Sequence, residues 1–282
     1  MFLRLGPKTR SVPLAALVPN MLTTLAVCCG LASIHFALLD KWERAMAAIV
    51  LAAIFDVLDG GAARLLRVQS PFGAVLDSLS DFLAFGIAPA VIMHQWLLSP
   101  VTTKAQDTLE LVGVMVFALC SALRLARFTA QAHTQAMRAA VEASSGASGG
   151  SAQPSNKRTS MFFSGMPTPA GAGVALIPAM LGASDDLQFQ AWNVPGWVMA
   201  IHLIVTGVLL VSTVPMFAMK GVRISRKLVA PLLIIVVVVA TCAMMSPWLT
   251  ISAIAGLYVA SVPLAFVLRS RQRSVSARAQ SV

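Results

Sequence analysis

Eight stretches of this chain approach the roughly 20 apolar residues that cross a bilayer, and that length settles its solvent. They run over 15–38, 45–66, 73–98, 108–130, 167–183, 195–217, 228–246 and 248–268. In hydrocarbon every backbone N–H and C=O must find a partner within the protein, and a helix does this segment by segment. The expected fold is an all-α integral membrane protein of about eight transmembrane helices. Only 11% of the residues are charged, against about 25% in a soluble domain. The 167–183 stretch is the least regular, with Pro167, Pro169 and Pro178. Proline is tolerated in membrane helices where neighbours satisfy the freed backbone groups.

Charge placement gives the orientation. If both termini are cytoplasmic, Arg4, Lys8 and Arg10 precede the first span on that side. Arg64 and Arg67 follow the second, and Arg124, Arg127, Arg138, Lys157 and Arg158 cluster at or after the end of the fourth. Lys220, Arg223, Arg226 and Lys227 follow the sixth, and Arg269, Arg271, Arg273 and Arg278 close the chain. The opposite side receives only Lys41, Arg44 and Lys104, with Asp40, Glu43, Asp107, Glu110, Asp185 and Asp186 in or beside its loops. This positive-inside bias predicts a cytoplasmic (inner) membrane protein with both termini on the cytoplasmic side. The net charge of +10 then faces anionic headgroups, and no nucleic-acid motif accompanies it. The first span has no cleavage site after it and reads as an anchor.

The remaining side chains with chemical potential read as structural. Cys28, Cys29, Cys120 and Cys242 lie in apolar spans at no metal-binding spacing and read as packing residues. His35, His94, His133 and His202 are scattered over different segments. Trp42, Trp96, Trp192, Trp197 and Trp248 sit near span ends, as interfacial anchors do. Residues 139–160 are rich in Ala, Ser and Gly with almost no large apolar side chain, and read as a flexible cytoplasmic loop.

Against this background stand four carboxylates: Asp56, Asp59, Asp77 and Asp81. An ionised carboxylate in apolar surroundings costs several kcal/mol or more unless compensated. Asp56 and Asp59 are three apart and share one helix face; Asp77 and Asp81 are four apart and share a face of the next helix. Oxygen-only donors favour hard divalent cations such as Mg²⁺, Mn²⁺ or Ca²⁺, and four negative charges are matched by two of them. The charge pattern places the cluster near the cytoplasmic end of spans two and three. Gly60 and Gly73 allow close approach of a ligand, and Arg64 is a positive fork suited to phosphate oxygens. Carboxylates, metal and arginine together suit a diphosphate, with one carboxylate free to take a proton from an attacking hydroxyl. The shared helix faces also suit a divalent-cation transporter, but the cluster lies at one end of the spans and no inverted repeat is visible.

The full spacing is D-x2-D-G-x2-A-R-x8-G-x3-D-x3-D, from Asp56 through Asp59, Gly60, Ala63, Arg64, Gly73 and Asp77 to Asp81. It resembles the signature of the CDP-alcohol phosphatidyltransferase family at every specified position. The resemblance implies a core of six transmembrane helices, two divalent ions (Mg²⁺ or Mn²⁺), a homodimer, and a CDP-linked lipid substrate. It implies that Asp56, Asp59, Asp77 and Asp81 are metal ligands, with Asp81 also the general base, and that Gly60, Arg64 and Gly73 contact CDP. The stretches at 18–34, 72–90, 122–128, 162–173 and 211–220 are similar to phosphatidylserine synthases of that family. The reaction so implied is CDP-diacylglycerol plus L-serine to phosphatidylserine plus CMP, by direct attack of the serine hydroxyl. The motif alone also fits other alcohols: glycerol phosphate, inositol phosphate or choline.

Three further assignments complete the expectation. Arg124 and Arg127 would hold the serine carboxylate or a lipid phosphate, or would act only as positive-inside anchors. Asn20 and Thr23, about one turn apart in span one, would contact cytidine or serve helix–helix hydrogen bonding. The chain is expected to form a single membrane domain, 1–282. Within it, 15–225 would be the catalytic core, with two extra spans over 228–268 and a basic tail over 269–282.

Overall fold

The computed structural model describes residues 17–66, 70–97, 104–144, 162–164, 166–184, 194–212, 215–217 and 229–261. Helix α1 spans Leu17–Leu38 and α2 spans Trp42–Leu65. The third span is one continuous helical rod in three parts: α3 over Pro71–Phe82, a π-helical turn over Leu83–Ile87, and α4 over Ala88–Leu97. Helix α5 covers Lys104–Ser144, and α6 (Thr168–Ala175) and α7 (Ile177–Ala183) share the fifth apolar stretch. Helices α8 (Gly196–Val211), α9 (Val229–Met245) and α10 (Pro247–Ser261) follow. Four of these rods are long and apolar enough to cross a membrane: Leu17–Leu38, Trp42–Leu65, Pro71–Leu97 and Thr108–Gln131. Each of the eight expected spans contains helix among the described residues, so the all-α membrane class holds.

The packing is that of a protein dissolved in lipid. Large side chains such as Met21, Val57, Leu79 and Met244 are more than half exposed, whereas the buried core interleaves large residues such as Met46, Phe85, Ile92 and Phe117 with small ones such as Ala37, Ala52, Ala88 and Ala175. Lipid supplies no hydrophobic drive between helices, so small residues that let backbones approach closely do the packing. Gly30 of α1 illustrates it: a Cβ there would lie 3.2 Å from Ala84 Cα in the π turn. Helix α1 packs along α2 and also contacts α3 and α4, and α5 packs along α8. Cys28 and Cys242 are free thiols on the exposed surface, so they face lipid rather than packing inside.

Two expectations are corrected. The sixth span was read to 217, but α8 ends at Val211, and Pro215–Phe217 form a strand (β2) antiparallel to Phe162–Ser164 (β1). Pro215 has no N–H to continue a helix and biases its predecessor toward extended backbone. The loop read over 139–160 is helical as far as Ser144. Alanine has the highest helix propensity of all residues, and the run Ala139-Ala140 with Ala143 favours continuing α5. The rest of that loop, the N-terminal basic residues and the 269–282 tail lie outside the described residues. At 41 residues α5 is about 60 Å long, twice the hydrocarbon thickness, so its last turns project into water.

Candidate active site

Local chemistry sets where the carboxylates fall. Ser70 caps α3: its Oγ accepts a hydrogen bond from Gly73 N at 2.9 Å, and Pro71 occupies the first turn, where its missing N–H costs nothing. That fixed start places Asp77 and Asp81 in the second and third turns of α3. Helix α2 carries Asp56 and Asp59 toward its C-terminal end, and Arg64 Nε folds back onto Gly60 O at 2.9 Å.

Three helices converge on the cluster. Asp56, Asp59 and Asp77 each offer a carboxylate oxygen, and these oxygens lie within 4.8 Å of one another. Asp59 is 4% exposed, and the hydroxyl of Thr23 lies 2.5 Å from its Oδ2 and 3.0 Å from Pro19 O. Asp81, one turn on from Asp77 in α3, is an electrostatic neighbour of Asp56, Asp59 and Asp77. Two unit charges at this separation repel by about 3.5 kcal/mol at an effective dielectric of 20. No lysine or arginine forms an ion pair with the four aspartates among the described residues. The donor set is therefore convergent, oxygen-only and uncompensated, and it fits hard divalent cations.

Beside it opens a cavity of about 320 Å³, with Asn20 and Thr23 from α1, Asp59 and Gly60 from α2, and Gly73 and Asp77 from α3 in its wall. The two glycines act differently. A Cβ on Gly73 would lie 2.8 Å from Asn20 Oδ1 and 3.1 Å from Ser70 Oγ, so this glycine lets α1 and the α3 cap meet. A Cβ on Gly60 would meet no protein atom within 4 Å; it would project into open space beside the carboxylates. Arg64 is exposed and is not among the residues that line the cavity.

The two arginines of α5 part company. Arg124 is half-buried, with Nη1 donating to Thr168 Oγ1 at the start of α6, and Asp81 and Tyr258 are its electrostatic neighbours. Arg127 is exposed and donates from Nη1 to Val211 O, at the C-terminal end of α8, at 3.3 Å. A cation there complements the helix dipole. Sequence reasoning did not single out Thr168, Ser70 or Tyr258. A signal existed for Thr168, the hydroxyl between Pro167 and Pro169. Tyr258 had only its being the sole tyrosine of the chain.

Comparison with known proteins bears on this geometry. The family model for CDP-alcohol phosphatidyltransferase matches residues 16–208, and a second, CDP-alcohol phosphatidyltransferase 2, matches residues 227–263. The chain is 35% identical over 257 residues to the CDP-diacylglycerol–serine O-phosphatidyltransferase of Mycobacterium tuberculosis, covering 91% of this chain and 79% of that one. The enzyme of the same name from Mycobacterium leprae is 35% identical over 260 residues, 92% of this chain and 77% of the relative. That from Helicobacter pylori is 27% identical over 246 residues, 86% and 88% of the two chains.

Proposed function

This chain belongs to the CDP-alcohol phosphatidyltransferase family, and we propose that it transfers the phosphatidyl group of CDP-diacylglycerol to L-serine, releasing CMP. The observation that carries the reading is the convergence of Asp56, Asp59 and Asp77 on one point beside the cavity. The relatives named for the serine reaction span most of the chain and support serine as the acceptor.

In this reading Asp56, Asp59, Asp77 and Asp81 hold two divalent ions, Mg²⁺ or Mn²⁺. Bound there, the ions neutralise the diphosphate oxygens and the departing phosphate of CMP. Asn20, Thr23, Gly60, Gly73 and Arg64 receive the CDP moiety. Arg124, half-buried and near Asp81, binds the serine carboxylate, while Arg127 serves the end of α8. Asp81 takes the proton from the serine hydroxyl as its oxygen attacks the phosphorus that bears diacylglycerol. A new P–O bond forms to serine, the P–O bond to CMP breaks, and its electron pair leaves with the CMP phosphate. Among the described residues no Cys or His lines the cavity, and its one serine, Ser70, accepts from Gly73 N as the cap of α3, which favours direct transfer.

The positive-inside bias supports a cytoplasmic site and cytoplasmic termini. Homodimerisation belongs to the same reading. It is supported by an apolar groove of about 510 Å³ between α3 and α5, with Val75, Leu79, Phe82 and Leu125 in its wall. The decisive experiment supplies the purified protein in lipid with CDP-diacylglycerol and, separately, serine, glycerol phosphate, inositol phosphate or choline. Phosphatidylserine and CMP in equal amounts are expected from serine alone. Formation of another lipid as the main product overturns the acceptor, and no product from any alcohol overturns the reaction.

A further inference from the structure

Arg124 has an unusual partner for a cation beside an acidic cluster. Among the described residues its one hydrogen bond goes to the Thr168 hydroxyl, a neutral oxygen, and no carboxylate forms an ion pair with it, Asp81 being an electrostatic neighbour only. A guanidinium carries five N–H donors in a rigid plane, so one bond to a fixed oxygen orients the others. Thr168 is such a fixed oxygen. It is 2% exposed, and it opens α6 between two prolines, with Gly171 N bonded to Pro167 O at 3.0 Å. Helix α6 packs against the π turn that follows Asp81 in the same rod. The hydroxyl is thus tied to the frame that carries the proposed base.

The neutrality of the partner matters as much as its position. An acidic residue at 168 would pair with Arg124 and compete with an incoming anion. A hydroxyl takes none of the positive charge, and its burial keeps water from taking its place.

We propose that Thr168 is a positioning residue for acceptor selection: it holds the Arg124 guanidinium so that the remaining donors meet the carboxylate of serine. This rests on the reading of Arg124 as the acceptor anchor. Thr168 touches no reacting atom; it acts through Arg124.

The test measures the KM for serine at saturating CDP-diacylglycerol, the KM for CDP-diacylglycerol, and kcat. It does so for Thr168→Val, Thr168→Ser, Arg124→Gln and the double variant Thr168→Val/Arg124→Gln. Losing a hydrogen bond to a charged group predicts a serine KM raised about tenfold or more in Thr168→Val. The KM for CDP-diacylglycerol should stay unchanged. Thr168→Ser should restore the serine KM, and the double variant should be no worse than Arg124→Gln. If Thr168→Val does not accumulate, Thr168→Ala is read by the same criteria. A normal serine KM in the apolar variant, an equal rise in both KM values, or no rescue by serine overturns the positioning role. Arg124→Gln with a normal serine KM overturns instead the acceptor reading on which it rests.

Discussion

Replacing Gly60 by alanine separates the fold of α2 from its use. Gly60 lies inside Trp42–Leu65, where glycine is destabilising by about 0.5–1 kcal/mol relative to alanine because it loses more freedom on folding. The added methyl meets no protein atom within 4 Å, so no clash offsets that gain. Gly60→Ala should therefore fold at least as well as the parent. The same holds for the adjacent Gly61, whose Cβ also meets nothing within 4 Å. The two positions differ in one respect: Gly60 is in the wall of the 320 Å³ cavity and Gly61 is not. If CDP lies against the α2 backbone at Gly60, the methyl displaces it. A misplacement of about 1 Å in a reacting group costs on the order of 10²-fold in rate. Gly60→Ala is expected to lose between about 10- and 100-fold in kcat/KM for CDP-diacylglycerol, that is, about 1.4–2.8 kcal/mol of transition-state stabilisation. Gly61→Ala should keep the parent's value. Thermal unfolding in detergent and initial rates against CDP-diacylglycerol measure both halves. Parent kinetics in Gly60→Ala, or equal losses in the two variants, would refute the placement of CDP.

Excess EDTA should abolish activity, and added Mg²⁺ or Mn²⁺ should restore it; full turnover in chelator would dismiss the metal assignment. Asp81→Asn should lower kcat by about 10²–10⁴-fold, as loss of a general base does, while CDP-diacylglycerol still binds measurably. A variant within a few-fold of the parent moves the base elsewhere. Thr23→Val removes the hydroxyl from Asp59 and should lower metal affinity by about tenfold, a charged hydrogen bond contributing about 1.5–3 kcal/mol. An unchanged Mg²⁺ titration of activity would show that Asp59 is held by its helix alone.

The sequence made the carboxylates legible because their period matches a helix face and the only other charges in that stretch are Arg64 and Arg67. Hydrophobic length likewise located the helical rods. What it could not locate were boundaries decided by competing local preferences. Alanine propensity carries α5 to Ser144, and Pro215 ends the sixth span early. Arg124 and Arg127 look interchangeable as letters three apart on one helix. Their difference is tertiary: α6 presents a hydroxyl to one, and α8 presents its terminal carbonyl to the other. The relation of Thr168 and Tyr258 to Arg124 was hidden for the same reason, since it spans helices far apart in the chain.

The same logic explains why α1, which contributes no carboxylate, belongs to the site. Asp56 and Asp59 on α2 repel Asp77 on α3, each close pair by about 3.5 kcal/mol at an effective dielectric of 20, and nothing within those two helices opposes the separation. Helix α1 opposes it from both sides. It packs along α2, where Thr23 reaches Asp59, and along the third rod, where Gly30 meets Ala84 and Asn20 meets Gly73. Neutral donors and close backbone contact hold the acids together without cancelling their charge. A basic residue in α1 would stabilise the cluster further, but it would also occupy the charge that a divalent ion must neutralise. Among the described residues the scaffold is held by packing and hydroxyls rather than by ion pairs, and the site stays acidic.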